Sequence, residues 1–257
     1  MSHLEVKDLS KKFGSFYAVK NISFSLSDGD ILGFLGPNGS GKTTTIKMLT
    51  ALINITSGKI LLDNKDIKNN IYEYKKRVGY VPESGELYSH LSGYEYLMFS
   101  GQLRQIEESS LGKKIESLAD LLNTGTDIHN SISSYSKGTA QKILIISAII
   151  SNPKILFFDE PLNGLDINTI LIVKELILKL SQSGKIIIYS SHILETVEKI
   201  CSRIIVIDKG CLVDNKKIDN FKKNKENINL ESFFKTELLS QNEKAIADDI
   251  VQLIISE

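Results

Sequence analysis

The chain has 257 residues, with 31 Lys and Arg against 31 Asp and Glu, so its formal net charge is zero. This length suits one large domain or two small ones with a buried core. The balanced charge gives no support for an obligatory nucleic-acid partner, because such domains usually carry a basic excess. The longest apolar runs, 143–150 and 186–189, are shorter than the ~18–20 residues of a membrane-spanning helix.

The N-terminus and the cysteines give two further expectations. Residues 1–5 lack the charged-then-apolar plan of a signal peptide, which favours a cytosolic chain. Cys201 and Cys211 fit no metal-site spacing, and we expect both to be buried packing residues without a disulfide.

The first part of the chain predicts strands on both sides of a glycine-rich loop. Alternating apolar positions at 4–6 and 19–26 predict an antiparallel pair of strands, and 58–63 predicts another. Residues 30–35 form an apolar run that is typical of a buried strand entering the loop. Residues 43–52 predict the helix that leaves it.

The loop at 36–44, Gly-Pro-Asn-Gly-Ser-Gly-Lys-Thr-Thr, fits the phosphate-binding pattern G-x-x-x-x-G-K-[ST] at every required position. Its backbone N–H groups would wrap a phosphate chain at a helix N-terminus, where the macrodipole favours anions. Lys42 is suited to reach the β- and γ-phosphates, and Thr43 is suited to hold Mg²⁺. The predicted nucleotide-binding residues are Gly36, Asn38, Gly39, Ser40, Gly41, Lys42, Thr43 and Thr44. The sequence therefore predicts binding of a nucleoside triphosphate.

Strands and helices alternate in the rest of the chain. Strands are predicted at 78–81, 155–158, 186–189 and 203–207. Helices are predicted at 137–150, 168–181 and 194–202, and 91–122 predicts two amphipathic helices with a break at 105–111. This alternation predicts an α/β fold with a parallel sheet and with ligands at the carboxyl ends of its strands.

Two adjacent acids follow the predicted strand 155–158. An apolar strand that delivers Asp159 opposite a phosphate loop supplies the carboxylate that Mg²⁺ requires. Glu160 comes next and is placed to orient or deprotonate an attacking water. Taken alone, the pair could be an incidental turn, and the upstream loop strengthens the catalytic interpretation.

The residues around these acids resemble those of an ATP-binding cassette (ABC) ATPase. Glu-Pro-Leu-Asn-Gly-Leu-Asp at 160–166 looks like the Walker B exit and D-loop of that family. Ser-Ser-His at 190–192 resembles its switch histidine, which implies that His192 contacts the γ-phosphate and the attacking water. The resemblance implies a P-loop NTPase (RecA-like) core, an N-terminal antiparallel β subdomain and an inserted α-helical signature subdomain.

The run Tyr-Ser-Lys-Gly-Thr-Ala-Gln-Lys at 135–142 is similar to the family's signature motif. Ser136 is a natural N-cap, and the resemblance implies that Ser136, Lys137 and Gly138 contact nucleotide held by another subunit. Lys137 stands where the motif has glycine, and Thr139 where it has glutamine. The Ser-Lys-Gly version is familiar in the exporter branch that moves drugs, peptides or lipids.

Two further motifs resemble nucleotide-contacting loops of the family. Tyr-Val-Pro-Glu at 80–83 resembles the Q-loop, with Glu83 in place of the usual glutamine, and this carboxylate could approach Mg²⁺ or its waters. Lys-Phe-Gly at 12–14 matches the A-loop, whose aromatic residue stacks on adenine, so Phe13 is the predicted stacking residue. A phenylalanine near an N-terminus could equally belong to the core.

The resemblance covers roughly the first 210 residues and divides the chain in two. Residues 1–215 are predicted to be an ABC ATPase domain, with its helical subdomain at about 84–150, and 216–257 a charged C-terminal extension. The implied protein is the ATP-hydrolysing subunit of an exporter, peripheral on the inner face of the cell membrane. It would bind ATP and Mg²⁺, dimerise with itself or a sibling cassette, and dock on separate integral membrane permease subunits.

Two other functions stay open at this point. One is a soluble ABC ATPase that acts on a macromolecular complex, such as iron–sulfur assembly. The other is a nucleotide-binding regulator without turnover. Residues 87–96 offer apolar and aromatic side chains that would suit either docking on a membrane subunit or internal packing.

Overall fold

The protein is described by a computed structural model that covers residues 2–85, 87–218 and 250–251. Within these residues the strands are β1 (His3–Phe13), β2 (Phe16–Ser27), β3 (Ile31–Leu35), β4 (Ser57–Leu62), β5 (Lys65–Asp66), β6 (Val78–Val81), β7 (Ile155–Asp159), β8 (Ile186–Ser190), β9 (Arg203–Asp208) and β10 (Cys211–Lys217). The helices are α1 (Lys42–Leu49), α2 (Ile71–Lys76), α3 (Gly93–Leu103), α4 (Glu108–Leu121), α5 (Lys137–Ile149), α6 (Ile167–Gln182) and α7 (Leu194–Ile200).

The strands form two sheets. The N-terminal sheet has the order β2-β1-β4-β5, and every pairing in it is antiparallel. The central sheet has the order β10-β9-β3-β8-β7-β6, in which only β10 runs antiparallel to its neighbour. Every residue of β3, β7 and β8 is buried, as expected for parallel strands covered on both faces.

Two hydrophobic cores lie on opposite faces of the central sheet. One fills the space between the two sheets, where the rings of Phe24 and Phe34 meet edge to face with their centroids 5.8 Å apart. The other joins the sheet to α5, α6 and α7 through residues such as Ile146 and Val173. The helices α3 and α4 pack on α5 at the same core, so they form a helical subdomain attached to one face of the sheet.

The fold class predicted from the sequence is confirmed, including the antiparallel subdomain and the break between α3 and α4, where Gln105 has a φ of 60°. Three details differ. The helix α1 ends at Leu49 and not at residue 52. The edge strand β10 was not predicted, and its pairing of Lys217 with Arg203 carries the sheet past the proposed domain boundary at 215. Cys211 on β10 is exposed, whereas Cys201 is buried as expected.

The rest of the proposed extension, 219–249 and 252–257, lies outside the described residues. In the part of the chain that the structure describes, no helix is both long enough and apolar enough to span a membrane.

Candidate active site

A cavity of about 630 Å³ opens at the carboxyl ends of the central strands. It brings together residues that are far apart in sequence. Its lining consists of Phe16, Ala18, Asn38, Gly39, Gly41, Lys42, Thr43, Thr44, Glu83, Asp159, Glu160 and His192. The predicted phosphate loop, both acids, the predicted switch histidine and the Q-loop glutamate therefore share one site.

The phosphate loop runs through spaces that admit only glycine at two positions. A Cβ on Gly36 would lie 2.1 Å from the carbonyl oxygen of Ile207, and Gly41 has a φ of 111°. The loop is also tied down from outside, because the Gly210 N–H donates to the Ser40 carbonyl at 2.9 Å. Gly36 and Ser40, both predicted to bind nucleotide, are not among the lining residues, and their role in binding stays a prediction.

Lys42 lies at the centre of this loop. Its Nζ donates to the carbonyl oxygens of Gly36 at 2.7 Å and Pro37 at 3.0 Å. Burial lowers the pKa of Lys42, while the nearby carboxylates of Glu160 and Asp159 oppose that shift. The ammonium group is thus held between the loop and the acids, where an anionic triphosphate would meet it.

Asp159 is buried at the end of β7 with its two oxygens in different surroundings. The Ser190 hydroxyl donates to Oδ1, whereas Oδ2 has no hydrogen-bond partner. Burial raises the pKa of Asp159, and the Ser190 and Thr43 hydroxyls lower it. An unsatisfied carboxylate oxygen next to a threonine hydroxyl fits Mg²⁺, which accepts few protein oxygens and completes its shell with water and phosphate.

Glu83 lines the same cavity and adds a third oxygen donor to the predicted metal set. Among the described residues, no group of three or more His, Cys, Asp or Glu side chains is arranged to hold a metal ion alone. A Mg²⁺ ion here would therefore depend on nucleotide oxygens as well as on Thr43 and Asp159, as is usual for ions that accompany a triphosphate.

Glu160 and His192 contact each other across the cavity. The Nδ1 of His192 lies 3.0 Å from Oε1 of Glu160, and the His192 side chain is 64% exposed while that of Glu160 is 11% exposed. Glu160 has a φ of 49°, a backbone conformation that costs a non-glycine residue free energy and that occurs often at functional sites. The pair places a buried carboxylate and an accessible imidazole side by side, as activation of a water requires.

The residues of the signature motif lie outside this cavity. Ser136 caps α5 by accepting a hydrogen bond from the Thr139 N–H at 3.1 Å. A Cβ on Gly138 would lie 2.6 Å from the Gly164 carbonyl oxygen, so the motif packs on the loop that follows Glu160. The side chain of Gln141 reinforces this contact by donating to the Pro161 carbonyl. In this chain Ser136, Lys137 and Gly138 therefore do not meet the phosphate loop.

Two aromatic residues, Phe13 and Phe16, lie near the predicted base-stacking position, and only Phe16 lines the cavity. Phe13 does not line the cavity and instead lies beneath the Lys11 ammonium, 4.9 Å from its ring centroid. Phe16 lines the cavity and is 67% exposed. Phe16 is thus a second candidate for contact with the base, and the motif match does not point to it because a motif fixes a position along the chain and not which side of a hairpin faces the site.

The phosphate loop between β3 and α1, with two acids at the end of β7, defines a P-loop nucleoside triphosphatase. The chain belongs to the ABC transporter family, whose profile matches residues 19–163. It is an ATP-binding subunit of that family and an ATPase.

Two relatives and one solved structure of the same kind support this assignment. YhcH of Bacillus subtilis, an uncharacterised ABC transporter ATP-binding protein, is 34% identical over 239 residues, which cover 93% of this chain and 76% of the relative. The linearmycin resistance ATP-binding protein LnrL of the same organism is 33% identical over 210 residues, covering 82% and 68%. The solved structure of an ATP-binding subunit of an ABC transporter superposes with a TM-score of 0.80 at 27% identity, covering 86% of this chain and 92% of that one.

Proposed function

We propose that the chain is the ATP-hydrolysing subunit of an exporter and that it works as a dimer with shared nucleotide sites. One observation supports a dimer with shared nucleotide sites. The phosphate loop and the acids share a cavity, but the signature residues Ser136 to Gly138 pack elsewhere on the same chain. A second cassette, related by a two-fold axis, would bring its signature motif to this cavity.

Each group in the cavity has a role in hydrolysis. The loop amides and Lys42 bind the phosphates, and Thr43 and Asp159 would hold Mg²⁺, with Glu83 beside them. When bound there, the metal would supply positive charge that offsets the charge on the transferring phosphoryl group. Glu160 would orient the attacking water and accept its proton, and His192, which contacts the Glu160 carboxylate, would hydrogen-bond the γ-phosphate.

A surface groove on the helical subdomain supports docking on a membrane subunit. Leu87, Tyr88, Ser89, His90 and Tyr96 line a cavity of about 440 Å³. Tyr88 and Phe99 are exposed, and their ring centroids lie 6.1 Å apart. Exposed aromatic side chains around a groove suit the apolar face of a short helix. We assign this groove to a helix of an integral permease subunit, which would place the chain at the inner face of the membrane.

Two features favour export over import. The chain has the Ser-Lys-Gly signature and Glu83, both of which resemble the exporter branch. The name of LnrL links that relative to linearmycin resistance, and a transporter ATPase provides resistance when it moves a compound outward. The alternative of a soluble ATPase in iron–sulfur assembly is not favoured, because the relatives are named as ABC transporter ATP-binding proteins.

Copurification from membranes tests the proposal. Affinity-tagged protein, isolated from detergent-solubilised membranes of the source cells, should carry an integral membrane protein with several apolar spans. Tyr88→Ala should lose that protein, whereas Tyr72→Ala, which removes an equally exposed tyrosine from α2, should keep it. If wild-type protein copurifies with only soluble proteins, the transporter role is wrong.

A further inference from the structure

The two serines that end β8 and follow it have no role in the mechanism given above, yet both are buried next to the catalytic acids. Ser190 has no exposed surface and Ser191 is 3% exposed. The parallel pairing of β7 with β8 ends with Asp159 opposite Ser190, and one residue further along each chain segment the Ser191 hydroxyl donates to Glu160. Two consecutive hydroxyls thus face two consecutive carboxylates.

Ser190 fixes the orientation of the Asp159 carboxylate. Its hydroxyl donates to Oδ1, and this bond leaves Oδ2 as the oxygen without a protein partner. A carboxylate held by one oxygen cannot rotate freely, so the second oxygen keeps a fixed direction within the cavity that Asp159 lines. Ser190 therefore decides which oxygen of Asp159 is available to a cation.

Ser191 fixes the orientation of the Glu160 carboxylate in a similar way. The Ile193 N–H donates to the Ser191 Oγ at 3.1 Å, which occupies a lone pair of that oxygen. The hydroxyl proton is then directed to Oε2 of Glu160, 3.3 Å away. Since His192 Nδ1 lies at Oε1, both oxygens of the Glu160 carboxylate are held by the segment 191–192.

We propose that Ser190 and Ser191 are positioning residues with separate tasks: Ser190 orients Asp159 for Mg²⁺, and Ser191 orients Glu160 for the attacking water. The proposal rests on the roles assigned to Asp159 and Glu160. It predicts that the two serines affect different measured quantities, although they are adjacent and equally buried. A merely structural role would give both variants the same effect.

The test uses equilibrium binding of a fluorescent ATP analogue, with Mg²⁺ and with EDTA, together with steady-state hydrolysis. Mg²⁺ should strengthen binding of the ATP analogue to Ser190→Ala about tenfold less than it strengthens binding to wild type. The Kd of the analogue in EDTA should stay at the wild-type value. In Ser191→Ala, both affinities should stay within about twofold of wild type while kcat falls by about tenfold. Ser191→Thr restores a hydroxyl and should recover most of the lost kcat.

Matched controls separate this inference from its premises. Ser181→Ala removes another buried hydroxyl, which donates to the Gly29 carbonyl just before β3, at the opposite end of the parallel strands, and it should change neither quantity. If Ser190→Ala does not fold, Ser190→Cys gives the same measurement at nearly the same volume. Wild-type kcat in Glu160→Gln would show that the assigned base is wrong. If Glu160→Gln is inactive but Ser191→Ala keeps the wild-type kcat, the positioning role of Ser191 is wrong and the base assignment stands. If the two serine variants have equal effects, their separate positioning roles are wrong.

Discussion

Phe13 and Phe16 are paired across the turn between β1 and β2, yet their side chains have different surroundings. Phe16 lines the nucleotide cavity together with Ala18, whereas Phe13 lies against the Lys11 ammonium. An exposed aromatic ring at the mouth of a nucleotide cavity is suited to stack on a base. We therefore propose Phe16 as a second candidate for stacking on the base, beside Phe13, whose predicted role stays a prediction.

We expect Phe16→Ala to weaken ATP binding and Phe13→Ala to leave it almost unchanged. Stacking of a base on an aromatic side chain contributes about 1–3 kcal/mol, which corresponds to a Kd raised about fivefold or more. Calorimetric titration of each variant with ATP measures this directly. A weakened Phe13→Ala beside a normal Phe16→Ala would restore the assignment made from the motif alone.

At the scale of single residues, the sequence predicted most of the cavity and missed the groups that orient it. Lys42, Thr43 and Asp159 were predictable because their chemistry needs those residue types at fixed distances from a glycine loop or a strand end. The motif at 190–192 points to His192 and assigns nothing to Ser190 and Ser191. Their role depends on the register in which β7 pairs with β8, and this register cannot be predicted from the residues of either strand alone.

Among the elements, α1 carries the phosphate loop, and a hydrogen bond from a neighbouring helix supports its end. The Tyr74 hydroxyl on α2 donates to the carbonyl oxygen of Leu49, the last residue of α1, at 2.6 Å. Tyr74 is buried, and burial raises its pKa, so the hydroxyl stays a donor at every pH near neutrality. The bond satisfies one of the carbonyls that a helix C-terminus leaves without an intrahelical partner.

Replacing Tyr74 by Phe should destabilise the protein without changing its nucleotide chemistry. The lost donor leaves a buried carbonyl unsatisfied, at a cost of about 1–3 kcal/mol, and the Tm should fall by about 2–8 °C. Tyr72→Phe is the matched control, since Tyr72 lies on the same helix and is exposed. Thermal unfolding followed by circular dichroism measures both, and equal melting temperatures for the two variants would contradict the assigned bond.

The buried parallel strands were the elements most readily predicted, and the sheet edge was the least. β7 and β8 consist of continuous apolar residues, which the alternation of strands and helices makes easy to interpret. β10 carries Asp214, Asn215 and two lysines, and alternate residues are exposed. Such a polar segment becomes a strand through its pairing with β9, which is a tertiary interaction and not a local preference.

For the whole molecule, the position of the signature motif decides how a complete site forms. The contacts of Gly138 with Gly164 and of Gln141 with Pro161 fix α5 against the loop that follows Glu160. Because that loop directly follows Glu160, these contacts also fix the position of the motif relative to the acids of its own chain. The arrangement therefore predicts that a chain with a damaged cavity can still supply a working signature motif to its partner.

Mixing two inactive variants tests this prediction. Lys42→Ala damages the cavity, and Gly138→Asp damages the signature motif, where any Cβ would lie 2.6 Å from the Gly164 carbonyl oxygen. A dimer with one chain of each kind has one site with both defects and one intact site. At equal amounts about half of the dimers are mixed, so hydrolysis should recover to about one quarter of the wild-type rate. The control mixes Lys42→Ala with Asp159→Asn, whose defects both lie in the cavity, and it should recover nothing. If the first mixture stays as inactive as its components, two copies of this chain do not form the shared site.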